Sequence, residues 1–162
     1  MNDPTYNLTP IGRVLIDEDG YALEIDEPYR PALTSLEGFS HINVLWWCHQ
    51  FDEPSFRGMT VADKPYKQGP DVVGIFATRS PARPNPIALT AVPVISVNIE
   101  SGIVRAAYVD AADGTPILDL KPYLPAVDRI RQTRCPDWCA DWPEWYEDSA
   151  TFDWGAVFEN AQ

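Results

Sequence analysis

The chain is 162 residues long and 45% hydrophobic, with sixteen prolines, six tryptophans and a net charge of −12. That is the size of one domain with ample apolar content for a core, and prolines at about twice the ~5% average favour rigid turns over long helices. The charge counts against a nucleic-acid partner, no apolar run reaches a membrane span, the polar start with Pro4 and Pro10 lacks a signal-peptide pattern, and an odd three cysteines suit a reducing cytoplasm better than a disulfide framework.

Ile11–Ile16 reads as a first strand and Tyr21–Ile25 as its partner, joined at Asp19-Gly20, because Asp-Gly is a hairpin signal. Glu37-Gly38 leads into His41–His49, a buried strand carrying Ile42, Val44, Leu45, Trp46 and Trp47. Asp71–Ala77 is the next strand. Ile87–Ile99 is long and alternates in its later half, Ser101-Gly102 turns it into Ile103–Val109, and Asp113-Gly114 precedes Pro116–Leu120. Short strands with regular turn signals predict a mainly β protein, a small barrel or sandwich. The chain has no βαβ rhythm and no glycine-rich strand-to-helix fingerprint, which counts against a Rossmann-type fold.

In the tail, Trp138, Trp142, Trp145 and Tyr146 follow helical spacing, and Pro136 and Pro143 suit the first positions of short helices. The expectation is a helical, Trp-rich tail docked on the barrel by its aromatics, rather than a ligand platform. Cys135 and Cys139 have no further Cys or His nearby, so no metal is expected. The whole chain, 1–162, reads as one domain with a core over about 9–128 and a tail over 129–162.

The stretch from Gly74 to Leu89 is the most informative. The apolar run of Val72, Val73, Ile75 and Phe76 breaks at Thr78 into Arg79, Ser80, Arg83 and Asn85, interleaved with Pro81, Pro84 and Pro86. Each proline fixes its own φ and offers no N–H, so the loop is stiff. A stiff loop that presents arginine forks suits an anionic group held in fixed geometry. A proline-rich turn with its arginines in solvent is the plainer alternative. The charge around this loop is uneven. Residues 57–83 hold five basic against two acidic side chains, a net of +3, and residues 121–134 hold four against one, also +3. Residues 135–162 carry seven acids and no base. One basic face is compatible with this pattern, and so are plain solvated charges.

Gly74-Ile-Phe-Ala-Thr-Arg-Ser-Pro-Ala-Arg-Pro-Asn-Pro-Ile-Ala-Leu89 resembles the signature of the TsaA-like family, whose best-known members are called TrmO: G-[VI]-F-A-T-R-S-P-x-R-P-N-P-I-G-[LM]-S. Leu36-Glu-Gly-Phe-Ser-His41, with the strand that follows into His49-Gln50, resembles the family's L-E-x-F-S-H block. Asp113-Gly-Thr-Pro-Ile-Leu-Asp-Leu-Lys-Pro-Tyr123 resembles its D-G-T-P-[VI]-x-D-I-K-P-Y. The resemblance spans roughly Ile11 to Asp128. It implies a single-sheeted β-barrel, S-adenosyl-L-methionine as methyl donor, a homodimer, and a tRNA acceptor: the threonylcarbamoyl-modified adenosine beside the anticodon. It also implies donor contacts from His49, Gln50, Arg79, Leu89, Ala107, Tyr108, Val109 and Asp110. Arg79 would pair with the methionine carboxylate, backbone around Leu89 and Ala107–Asp110 would read the adenine edge, and Asp110 would meet the ammonium or the ribose. Substrate contacts would fall on Arg83, Asn85, Lys121 and Tyr123. Three departures accompany the match. The family's S-P-Y…P-R-Q-P-G segment after the first strand is missing, Ala88 and Thr90 stand where Gly and Ser are usual, and a short acidic tail stands where larger bacterial members have a further domain.

Methyl transfer from a sulfonium releases a neutral thioether, so alignment supplies most of the rate. An amide-like nitrogen must still lose its proton to a base or to water, and Asp119, Asp110, His49 and Tyr123 are the candidates. His41 and His49 read equally well as structural histidines on a buried strand. Three functions follow: a cytoplasmic tRNA methyltransferase; a methyltransferase of the same fold acting on a small molecule or another non-tRNA acceptor, which the acidic charge and the shortened amino-terminal segment favour; and a non-catalytic S-adenosylmethionine-binding sensor. Neither a membrane nor a metal is expected as a partner.

Overall fold

The computed structural model describes residues 6–159. They form two compact units, one of residues 6–53 and 85–129, the other of residues 54–84 and 130–159. Eight strands run in chain order: β1 (Gly12–Asp17), β2 (Gly20–Ile25), β3 (His41–Trp47), β4 (Val61–Asp63), β5 (Val72–Gly74), β6 (Ile87–Asn98), β7 (Ile103–Ala106) and β8 (Pro116–Pro122). There are also two single-turn helices, α1 (Pro54–Arg57) and α2 (Pro125–Asp128), and several short 3₁₀ turns.

In the first unit six strands close into an antiparallel barrel in the order β1-β2-β7-β6-β3-β8. Period-two alternation decides which side chains face in. On β3, Ile42 and Val44 are fully buried while Asn43 and Leu45 lie on the other face. Val14, Leu23, Ile25, Val92, Val104 and Ile117 join them to make the core. Burial of each such side chain contributes about 1.5–3 kcal/mol. The seam between β1 and β8 is short, with Gly12 opposite Ile117 and Arg13 opposite Pro116. The Asp113-Gly114 turn completes it: Gly114 N–H donates to the Val14 carbonyl and Val14 N–H to the Thr115 carbonyl, both at 2.8 Å, and Asp113 Oδ1 accepts from Ile16 N–H at 2.9 Å. Closure leaves the barrel without sheet edges.

Three expected strands end early. Ile103–Val109 stops at Ala106, just past a β6 bulge between Val94 and Ser96, and Ala107 N–H makes one further bond to β6, on the Pro93 carbonyl at 3.1 Å. The strand from His41 stops at Trp47, and His49–Phe51 curls into a 3₁₀ turn. Asp71–Ala77 is extended only over β5, which pairs with β4 in a separate two-stranded sheet. Ile75–Ala77 is a 3₁₀ turn, closed by the buried Thr78 hydroxyl donating to the Ile75 carbonyl at 2.8 Å.

The tail is not one helical face. Asp137–Cys139, Tyr146–Thr151 and Trp154–Ala156 are separate 3₁₀ turns. Pro136 precedes the first as its cap, and Pro143, which has no N–H, falls between the first two. The tail's aromatics pack on Tyr66 within the second unit. Tyr66 stacks on Trp138 with centroids 5.0 Å apart and meets Trp142 edge-on at 5.2 Å, and Trp142 meets Trp154 at 5.5 Å. Backbone bonds run alongside: Lys67 N–H donates to the Val157 carbonyl at 2.9 Å and Glu159 N–H to the Pro65 carbonyl at 3.2 Å.

Candidate functional site

The Arg79 loop is held by its own small polar groups. Thr78 Oγ1 accepts from Ser80 N–H at 3.2 Å, and Ser80 Oγ accepts from Ala82 N–H at 3.3 Å. Arg83 turns its guanidinium inward, onto the carbonyls of Thr78 and Ser80, both at a long 3.4 Å. Arg57 Nε donates to the Pro84 carbonyl at 3.1 Å. Arg79 is exposed and makes no hydrogen bond or ion pair among the described residues. The two arginines therefore differ in kind: Arg83 braces the loop, and Arg79 offers an open fork. Of these two, Arg79 is the one with all five donors available for a carboxylate or phosphate.

The other candidates lie in the barrel unit, and the strand register places them in two groups. His49 and Gln50 are exposed, just past the end of β3. Asn85 is near that end as well, because Cys48 N–H donates to the Pro86 carbonyl at 2.7 Å and Ile87 opposes Trp47. Ala107–Asp110 leave β7 beside Pro93, which opposes His41 at the other end of β3. Leu89, 44% exposed, stands between the groups. Four residues of extended chain, roughly 13 Å, separate it from Pro93 along β6. Within the second group Tyr108 Oη donates to Asp110 Oδ1 at 3.1 Å, the Tyr108 ring meets Tyr21 edge-on at 5.2 Å, and Val109 is buried.

Leu45 has Leu89 as its ladder partner on one side and Asp119 on the other. These three side chains share the outer face of β6, β3 and β8. Read as sequence, Leu45 counts among the buried residues of this strand; the alternation of Ile42 and Val44 against Asn43 and Leu45 puts it on the outer face instead. Asp119 Oδ2 pairs with Lys121 Nζ at 2.6 Å, two residues along the same face, and that hydrogen bond raises the lysine's pKa. Tyr123 donates its backbone N–H to the His41 carbonyl at 3.0 Å, and its ring lies 6.4 Å from the His41 ring. His41 Nδ1 lies 2.9 Å from Ser40 Oγ. Of the four candidate bases, His49 is the one with neither a side-chain hydrogen bond nor a ring contact among the described residues. The described residues include no group of three or more His, Cys, Asp or Glu side chains arranged around a cation site.

The model of the tRNA-methyltransferase O N-terminal domain matches residues 4–129. The chain belongs to the TrmO family. A probable S-adenosyl-L-methionine-binding protein of Pyrococcus abyssi is 40% identical over 106 residues, 65% of this chain and 53% of the relative. The tRNA (adenine(37)-N6)-methyltransferase of Escherichia coli is 38% identical over 112 residues, 67% of this chain and 47% of the enzyme. The crystal structure of TrmO from P. aeruginosa superposes with a TM-score of 0.65 at 26% identity, covering 84% of this chain and 62% of that one. This chain thus spans about half the length of those two curated relatives. The TrmO match covers the barrel strands, the Arg79 loop and the β4–β5 sheet, and it stops before the aromatic tail.

Proposed function

We propose that this protein is an S-adenosylmethionine-dependent methyltransferase that modifies N6 of the threonylcarbamoyl-adenosine beside the anticodon of tRNA. The observation that carries the reading is the open guanidinium of Arg79 on a braced loop inside the family's signature segment. The name of the Escherichia coli relative supports the acceptor.

The residues present suit the donor. Arg79 has a free bidentate fork for the methionine carboxylate. Leu89 and its neighbour Leu45 give apolar surface, and the backbone from Tyr108 to Asp110, beyond the bond of Ala107 N–H to the Pro93 carbonyl of β6, can meet a nucleobase edge. Asp110, exposed and already oriented by Tyr108, supplies negative charge for an ammonium or an acceptor for ribose hydroxyls. When bound, the donor supplies an electrophilic methyl group and departs as a neutral thioether. The chain's own task is then alignment and acceptance of one proton. His49 has ring nitrogens without intramolecular partners, whereas Asp119 is engaged by Lys121 and Asp110 by Tyr108, so His49 is the best placed of the four for that proton. Lys121, Asn85, Arg83 and Tyr123 remain candidates for the acceptor, with Arg83 acting through the shape of the loop.

The same reading includes a cytoplasmic homodimer. A closed barrel has no edge to cover, so the support comes from exposed apolar side chains on β6: Ile87, Leu89 and Ile95 at 37%, 44% and 68%. A two-fold contact is the commonest way to cover such a face. Light scattering at micromolar concentration should give twice the 18.2 kDa chain mass.

Calorimetric titration with S-adenosylmethionine tests the core of the proposal. Arg79→Ala should weaken binding roughly ten- to a hundredfold, the scale of a hydrogen bond to a charged group. Full affinity in that variant removes Arg79 from the site. The net charge of −12 favours a second reading, a small-molecule acceptor. tRNA that carries threonylcarbamoyl-adenosine but not its methyl group, incubated with enzyme and labelled donor, separates the two.

A further inference from the structure

Cys135 and Cys139 lie together in the second unit and differ in access. Cys135 is exposed, and Cys139 is buried, with 6% of its surface exposed. The chain between them is already folded back. Cys139 N–H donates to the Pro136 carbonyl at 3.0 Å and closes the 3₁₀ turn Asp137–Cys139, whose Trp138 stacks on Tyr66. The Cys135 sulfur reaches to residue 139, 3.4 Å from its carbonyl oxygen. The Cys139 sulfur reaches back to residue 136, 3.3 Å from the Pro136 carbonyl oxygen. Burial raises the Cys139 pKa, and the hydrogen bond and charge of Cys135 raise it further, as two thiols in contact require. The third cysteine, Cys48, is buried in the barrel unit. An exposed thiol against a buried one is the arrangement of an attacking and a resolving cysteine: an oxidant in solution meets the first, and the second is held beside it.

We propose that Cys135 and Cys139 are an oxidative modification site, a dithiol that a hydroperoxide closes to a disulfide. The Cys135 thiolate attacks a peroxide oxygen and the O–O bond breaks. Cys135 becomes a sulfenic acid, and the departing hydroxide or alkoxide takes up the proton that the thiol gave off. The Cys139 sulfur then attacks the sulfenic sulfur, the S–O bond breaks, and the displaced hydroxide leaves as water with the Cys139 proton. The two sulfurs together lose two electrons, and the peroxide gains them. The bond clamps the turn that carries Trp138. Reversible pairs of this kind are the form that disulfides take in a reducing compartment. The proposal is independent of the methyltransferase reading.

The reduced full chain is treated with hydrogen peroxide, unfolded, alkylated with N-ethylmaleimide and cleaved after its basic residues. Cleavage after Arg134 leaves both cysteines on one peptide, 135–162, because no basic residue follows. That peptide should lose two hydrogens and take up no maleimide, while the peptide that holds Cys48 takes up one. Dithiothreitol added before alkylation should restore both thiols of 135–162. In Cys139→Ala the oxidation should stop at the Cys135 sulfenic acid and be trapped by dimedone. In Cys135→Ala the buried Cys139 should stay reduced over the same time. The wild-type peptide mass reads the bond directly, so the test does not depend on either variant folding. Alkylation of Cys139 in wild-type chains whose Cys135 is already oxidised overturns the proposal, and so does a disulfide that joins two chains instead. Equal dimedone labelling of the wild type and Cys139→Ala would mean that Cys139 resolves nothing, and would also overturn it.

Discussion

Arg105 grips Asp17 through two parallel hydrogen bonds, Nη1 to Oδ1 at 2.7 Å and Nη2 to Oδ2 at 2.8 Å. The pair fastens the β1–β2 turn to β7 across the barrel wall. Both side chains are partly shielded, 24% and 33% exposed. The hydrogen bond from Arg105 is the main cause that holds the Asp17 carboxyl below its ordinary value. A carboxylate depressed in the folded state contributes stability that is complete above the unfolded pKa of ~3.9 and is lost as pH falls through the lower folded value. Arg105→Met should therefore return the Asp17 titration, followed by NMR, toward ~3.9 and shift acid unfolding to higher pH. If Asp17 titrates as before in the variant, the pair is not the cause.

Gly12 is required by close approach. A Cβ at that position would overlap the Glu24 carbonyl oxygen on the partner strand. Gly12→Ala should cost about 1–3 kcal/mol in urea unfolding, the scale of overpacking. Gly38 has open space around its Cβ position, so Gly38→Ala should stay within about 0.5 kcal/mol. A loss at Gly12 as small as that at Gly38 would mean that the Glu24 carbonyl moves aside at little cost and the close approach does not require glycine.

Trp142 joins Tyr66, Trp138 and Trp154 in one ring cluster. The side chain is only half-buried, so Trp142→Ala should lower stability by about 2–4 kcal/mol, at or below the range for a fully buried tryptophan. Donor affinity in the folded fraction should be unchanged. A variant that keeps its melting temperature yet no longer binds donor would make the tail part of the donor site.

The barrel strands were legible because alternation and turn chemistry agree: Val14, Leu23, Ile42 and Val44 face in, and Gly20 and Gly114 supply positive φ at Asp-Gly turns. The Arg79 loop was legible from its prolines, but the division of labour between Arg79 and Arg83 was not. It depends on which carbonyls lie within reach of each guanidinium. The tail misled because Trp138, Trp142, Trp145 and Tyr146 carry helical spacing, while Pro143 lacks the N–H a helix would need there. β4 escaped notice because three residues hold no period. Ala107–Val109 read as strand from their apolar residues, but the pairing with β6 ends at the bond of Ala107 N–H to the Pro93 carbonyl.

If tRNA is the acceptor, its phosphates need basic side chains that are not already engaged within the fold. Lys64 places its ammonium on the Gly69 carbonyl at 2.9 Å and Lys67 on the Gly155 carbonyl at 2.8 Å, so reversing either charge would disturb the second unit as well as any tRNA contact. Arg131 and Arg134 are exposed and make no hydrogen bond or ion pair among the described residues. They are the cleaner probes. Each phosphate contact releases counterions, so log affinity falls with log salt by roughly 0.7–0.9 per contact. The double variant Arg131→Gln, Arg134→Gln should bind tRNA more weakly and show a salt slope smaller by roughly 1.4–1.8 if both contact phosphates. Its S-adenosylmethionine affinity should be unchanged. An unaltered slope removes these two arginines from the interface. If the wild-type protein shows no salt-sensitive tRNA binding, and tRNA from a deletion strain carries the modified adenosine at its normal level, the acceptor is not tRNA. The barrel and its donor loop would then serve a small-molecule methyltransferase, the reading that a net charge of −12 favours.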